Sequence, residues 1–349
     1  MSTQVESAGP LGTSVAAASQ GEIKARGYWE LVWFRFRKDK FALGGGVFVF
    51  LLFLVAFPLA PLISHLLGHG PNQSFTASVD QLTQVPPGIW THASTAPFAG
   101  APPPAGLKAW PTQLLILGGD GSLGRDLFLR LIYGARTSLE VAFFATIGSV
   151  ALGVVMGLLA GYLRGWIDTL ISRLIEIVMV FPFLLFIIAL KIVAGNQLDN
   201  ITLGFLSPGV FTLALIFSAF GWFYPARIMR GVVFSLREKE FVEAARMTGA
   251  SDWRIMRSHL LPHLVAPIVV YSSLIIAQNI IAEAGLSFLA IGIPDGTASW
   301  GNLLAAGPEY YRLDPMLMIW PGLAILFTTL AFNLLGDGLR DAFDPRARI

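Results

Sequence analysis

Two long stretches without a charged side chain, Phe41 to Ser64 and Val141 to Leu163, constrain this chain more than any other feature. A helix needs about 20 apolar residues to cross roughly 30 Å of hydrocarbon, so each stretch is long enough to be a membrane span. Four more candidates follow the same logic. Span 3 runs from about Ile167 to Leu190 with Arg173 and Glu176 in its first turns, and span 4 lies within Ile201 to Ala226. Span 5 covers about Leu264 to Ala282 and span 6 about Pro315 to Gly336. The pattern predicts an all-α polytopic membrane protein with six transmembrane helices. Composition agrees: 13% of residues are charged, against about 25% in a soluble domain that must cover its surface. Mean hydropathy is +0.65.

Six spans put both termini on one side, and basic residues choose the side. With the N-terminus in the cytoplasm, 18 of the 24 Lys and Arg residues are cytoplasmic and 6 are outside. The expected order is a cytoplasmic segment 1–40, span 1 at 41–64 and an extracytoplasmic loop 65–136. A core at 137–338 follows, with a cytoplasmic loop 227–262, and then a tail 339–349. About forty residues, half of them polar or charged, precede the first span, unlike a secretory signal peptide. The outer part from Gly68 to Pro111, with its Pro102-Pro103-Pro104 run, reads as irregular loop with little core of its own.

Span 2 carries Ala145, Ser149, Gly153, Gly157 and Gly161, small residues at every fourth position. On a helix they form one narrow stripe that lets another backbone approach closely. Glu176 and Glu283 are the membrane acids worth weighing, because an intramembrane carboxylate is expensive and often functional. At a span end, however, a solvated or ion-paired glutamate costs little. Several chemistries are excluded. There are no cysteines, so no disulfide, thiolate metal site or cysteine nucleophile exists. The histidines form no HExxH motif, and no lysine is followed by Ser or Thr as a phosphate-binding loop requires. A net charge of +2 gives no reason to expect nucleic acid.

The cytoplasmic loop reads as helix, Gly-hinged turn, helix. Residues 237 to 248 are mostly good helix formers, and Gly249 is placed to stop them in the left-handed conformation. Ser251 can cap a second short helix, with Asp252 in its first turn, and Pro262 begins the next element. Phe241, Met247, Trp253 and Met256 supply apolar surface. Trp253 among charges suits a protein–protein anchor, and equally a loop lying on the membrane interface.

Glu243-Ala244-Ala245, then Gly249 after three intervening residues, then Leu261-Pro262, resembles the EAA loop of type I ABC importer permeases. His259 stands where the general pattern is aliphatic, a departure that the peptide-importer branch commonly accepts. Further motifs resemble the dipeptide/oligopeptide permease C subunit family. They are Leu117-Gly-Gly-Asp-Gly-Ser-Leu-Gly-Arg-Asp126, Leu131-Ile-Tyr-Gly-Ala-Arg136, Ala282-Glu-Ala-Gly-Leu-Ser-Phe-Leu289, Ser299-Trp-Gly301 and Asn333-Leu-Leu-Gly-Asp-Gly-Leu-Arg-Asp-Ala-Phe-Asp-Pro345. The resemblance spans about residues 28 to 348, and the outer loop is longer than the family's.

This resemblance implies the type I importer permease fold and peptide uptake, with nickel, glutathione or opine-like ligands as relatives' alternatives. It implies two ATPase subunits, a homologous second permease and an extracytoplasmic solute-binding protein as partners. ATP and magnesium would be bound by those ATPases, leaving no cofactor on this chain. Glu243, Ala244, Ala245, Gly249 and Trp253 are then the expected ATPase-coupling residues. An ion-driven secondary transporter would instead show paired ionisable groups at mid-membrane, and spans 2, 4, 5 and 6 have no charge at their centres.

Overall fold

The computed structural model describes residues 27–80, 82–180, 182–194 and 206–344. Segment 1–26 with Lys24 and Arg26, the Ile201 to Phe205 start of predicted span 4, and Pro345, Arg346 and Arg348 lie outside the described residues. Helix α1 (Tyr28–Lys38) ends at Asp39, whose carboxylate accepts from the N–H groups of Phe41 and Ala42 at 2.9 and 3.1 Å. That caps α2 (Lys40–Leu54) by satisfying donors with no partner inside the helix. A widened turn at Val55–Leu59 joins α2 to α3 (Ala60–Leu67), making one helix from Lys40 to Leu67. Pro58 accounts for the widening, since it has no N–H to give to a regular turn.

Among the described residues, four helices are each long and apolar enough to cross a membrane. They are Lys40–Leu67, α4 (Leu127–Leu163), Asp252–Phe288 and α13 (Met316–Phe343). Two broken pairs supply the other spans. One is α5 (Gly165–Val180) with α6 (Phe183–Ala194), and the other is α7 (Val210–Gly221) with α8 (Phe223–Leu236), bent by 42°. Four continuous and two broken spans give six.

Helix α4 is the central pillar, packed against α7, α8 and α11 (Leu261–Phe288). Helix α13 leans on α11 and α2, and α12 (Trp300–Tyr310) packs between α11 and α13 near the N-terminal end of α4. Trp300 is the anchor there: it is 1% exposed, and its indole N–H donates to the Leu131 carbonyl at 3.0 Å.

The segment between the first two spans is more ordered than its composition predicts. Strands β1 (Thr91–Ser94) and β2 (Thr112–Leu115) pair antiparallel, Thr91 opposite Leu115, over a small core of Phe75, Ala93 and Leu115, each fully buried. A second short pair joins β3 (Gly119–Asp120) to β4 (Arg125–Asp126). The expectation of an irregular loop therefore holds for the Pro-rich connection between β1 and β2 and fails for its flanks. The apolar residues that make this core lie far apart in sequence, so no local periodicity announces them.

Two polar links tie this segment to the membrane domain. Asp126 caps α4 through the Leu129 N–H at 3.0 Å, and its other oxygen lies 2.7 Å from His69 Nε2. Asp120 takes two hydrogen bonds from Arg125 Nε and lies 2.6 Å from Arg130 Nε. Burial pushes the Asp120 carboxyl up, against the opposing pull of the Arg130 and Arg125 guanidinium groups.

Candidate coupling site and transport core

The candidate coupling segment is assembled at the C-terminal end of α4. Arg237, at the end of α8, donates to the Tyr162 carbonyl at 2.6 Å, satisfying an orphan acceptor in the last turn of α4. Helix α9 (Glu240–Met247) follows, with Glu240 and Glu243 in its first turn, where negative charge suits the helix dipole. It ends in a Schellman motif. The Ala250 N–H bonds the Ala245 carbonyl at 3.0 Å, and the Gly249 N–H bonds Arg246 at 2.9 Å. Gly249 has φ +81°, the left-handed conformation that the sequence predicts there.

Ser251 occupies the N-cap position of α10 (Asp252–Arg254) with extended backbone, but its side chain makes no capping bond. Pro262 stands in the first turn of α11, near the start expected for it, but no break precedes it. A widened turn at Ile255–Leu260 runs from α10 straight into α11, making one helix from Asp252 to Phe288. The wide turn absorbs the N–H that Pro262 lacks, so the proline is accommodated without a break. The segment is thereby continuous with the helix of the fifth span.

One face of the segment is anchored and the other is bare. Val242, Ala245, Ile255, Met256 and Leu260 are buried in one cluster with Val154, Leu158, Met229 and Val233. The Tyr162 hydroxyl donates to Asp252 at 2.7 Å, and the Arg246 guanidinium sits 5.3 Å from the Tyr162 ring. Glu243 and Ala244 are exposed, and so are Met247 at 80% and Trp253 at 66%. Of the predicted coupling residues, Glu243, Ala244, Gly249 and Trp253 thus reach the surface, while Ala245 faces inward. The Tyr162–Asp252 lock spans 90 residues and has no local sequence signal.

All five stripe residues are buried and meet the fourth span. Ser149 Oγ donates to the Phe217 carbonyl at 3.1 Å, and Ser218 Oγ donates to the Ala145 carbonyl at 3.2 Å. A Cβ added at Gly153, Gly157 or Gly161 would stand 2.6 to 2.7 Å from Pro225, Ala226 or Val233. A bidentate pair holds the third span to α8: Arg230 donates to both Asp168 oxygens, at 2.5 and 2.9 Å.

The two membrane acids part ways. Glu176 is exposed and paired with Arg173 at 2.6 Å. Glu283 is fully buried and accepts from Ser138 and Ser287, both at 2.7 Å, joining α4 to α11.

Comparison with known proteins agrees with this architecture. The family described as binding-protein-dependent transport system inner membrane component matches residues 153–349. The family described as N-terminal TM domain of oligopeptide transport permease C matches residues 27–87. The dipeptide transport system permease protein DppC of Alkalihalophilus pseudofirmus is 39% identical over 231 residues, covering 66% of this chain and 72% of that one. The glutathione transport system permease protein GsiD of Pectobacterium atrosepticum is 34% identical over 320 residues, covering 92% of each. Among solved structures, the MetNI methionine ABC transporter contains a chain that superposes with a TM-score of 0.51 at 17% identity. It covers 62% of this chain and 98% of its own, and shares the fold of a type I importer permease.

The chain belongs to the binding-protein-dependent transport system inner membrane component family. It is a multi-pass permease subunit of an ABC importer, a transport component rather than an enzyme, whose class works with ATPase and substrate-binding subunits.

Proposed function

We propose that this chain forms half of the membrane pathway of an ATP-driven importer of di- and oligopeptides, with both termini in the cytoplasm. The observation that carries the coupling is the bare face of the Glu243 to Trp253 segment. Two large apolar side chains, Met247 and Trp253, stand exposed on a segment whose other face is locked into the core. An apolar anchor of this kind beside a carboxylate fits a cleft on a protein partner. In this reading that partner is one of two ABC ATPases, which bind the ATP and magnesium. A homologous second permease supplies the other half of the pathway, and an extracytoplasmic solute-binding protein delivers the substrate.

ATP-driven closure of the ATPases draws the cytoplasmic segments of the two permeases together. Because α10 continues into α11 without a break, that movement reaches the fifth span directly, and the pathway alternates between two states. Peptide is favoured as cargo by the dipeptide permease relative. A second reading, glutathione, is favoured by a relative that matches over 92% of both chains. Uptake of labelled dipeptide and of glutathione, measured separately in vesicles that hold the complete complex, separates the two.

A further inference from the structure

A cavity of about 300 Å³ opens beside α11 at the junction of α7 and α8. Its wall brings together Ser149, Phe220, Tyr224, Gln278 and Asn279. Gln278 is exposed, and it has no hydrogen-bond partner among the described residues. It lies well inside the span, about 15 Å from the Phe288 end of α11 and about 25 Å from Leu261 at 1.5 Å per residue. Its neighbour Asn279 is satisfied, donating to Thr146 Oγ1 at 3.0 Å. A carboxamide left bare in hydrocarbon forfeits every hydrogen bond that water would give it. The 42° break at Trp222 opens the helical backbone at the same place. Irregular backbone at membrane depth is tolerated where it is covered by protein or lines a polar cavity.

One phenol lies in the largely apolar wall and a second stands beside it. Tyr224 is 48% exposed, and its ring stands edge-on to Tyr271 of α11 at 6.3 Å. Neither hydroxyl has a hydrogen-bond partner among the described residues. Tyr271 and Gln278 are seven residues apart, two turns along one face of α11. The bare amide, the phenols and the break therefore converge on one strip.

We propose that this cavity is a substrate-binding station on the transport path. The Gln278 carboxamide hydrogen-bonds a peptide group of a short peptide, and the Phe220 and Tyr224 rings pack against its side chains. A carboxamide offers donor and acceptor together, as a peptide group does. The wall carries no carboxylate, ammonium or guanidinium group, so it recognises the peptide group and tolerates either sign of side-chain charge. The proposal rests on the peptide reading above.

The absence of cysteine gives a clean test. Gln278→Cys and Leu326→Cys are placed in the full complex, with cysteine-free partners, in vesicles with binding protein and ATP. Leu326 is 55% exposed on α13 and serves as the lipid-facing control. A trimethylammonium methanethiosulfonate reagent is expected to modify Gln278→Cys and to spare Leu326→Cys. Saturating dialanine should slow the Gln278→Cys reaction at least fivefold. Gln278→Leu should raise the half-saturating dialanine concentration for uptake about tenfold, and an unchanged value would overturn the proposal. No modification at Gln278→Cys would mean that the position faces lipid or is sealed by a partner, and would overturn the proposal. Modification without dialanine protection, in a complex that imports dialanine, would overturn the station and leave peptide transport standing. A wild-type complex that imports no dialanine would sink the peptide reading, and with it the ligand assigned to this cavity.

Discussion

A Cβ on Gly157 would stand 2.6 Å from the carbonyl oxygen of Ala226. Helices α4 and α8 therefore meet there backbone to backbone, with no room for any side chain. Gly157→Leu is expected to destabilise the permease, since overpacking costs about 1–3 kcal/mol. Val155, 53% exposed on the same helix, supplies the control. Thermal unfolding in detergent should show a clear loss for Gly157→Leu and little for Val155→Leu. Equal midpoints would mean that the stripe does not bear on a neighbour.

Glu283 ties α4 to α11 through Ser138 and Ser287. Glu283→Leu leaves two buried hydroxyls without their acceptor, at about 1–3 kcal/mol for each group left unsatisfied. Glu283→Gln keeps a carbonyl acceptor and should retain much of the stability. The measurement is the melting midpoint of the three proteins, expected in the order wild type, Gln, Leu. A Leu variant as stable as wild type would show that the cluster is dispensable for folding.

Topology can be read with single cysteines, again because the chain has none. Ser251 and His92 are both exposed, on the coupling segment and on β1. With an impermeant maleimide, Ser251→Cys should react only from the cytoplasmic side and His92→Cys only from outside. The reverse pattern would invert the orientation derived from the basic residues.

What the sequence revealed and what it hid divide along one physical line. Charge-free runs such as Phe41 to Ser64 are legible because a span is defined by its own residues. The helix and turn of the candidate coupling segment are legible because Glu243 and Gly249 lie within a few residues of each other. The start of α4 at Leu127 was hidden, because Arg130, Arg136 and Glu140 look like the end of a membrane segment. In the folded chain Arg130 meets Asp120 and Asn72, while Arg136 and Glu140 pair 2.8 Å apart. The outer core of Phe75, Ala93 and Leu115, and the Tyr162–Asp252 lock, depend on partners distant in sequence. The widened turn that carries α10 into α11 ahead of Pro262 gives no sequence signal of its own.

The central claim is that the exposed face of α9 and α10 couples this permease to an ATPase. The most direct measurement is binding-protein-stimulated ATPase and peptide uptake in reconstituted vesicles for Glu243→Ala and Trp253→Ala, with co-purification of the ATPases as a second readout. Both side chains are exposed, so neither substitution should disturb folding, which thermal unfolding checks. Removing one side of a buried charged contact costs about 2–5 kcal/mol, enough to weaken ATPase retention at least tenfold. The account predicts variants with wild-type melting midpoints, depleted ATPases and uptake reduced at least tenfold. Wild-type uptake and ATPase retention in both variants would contradict it.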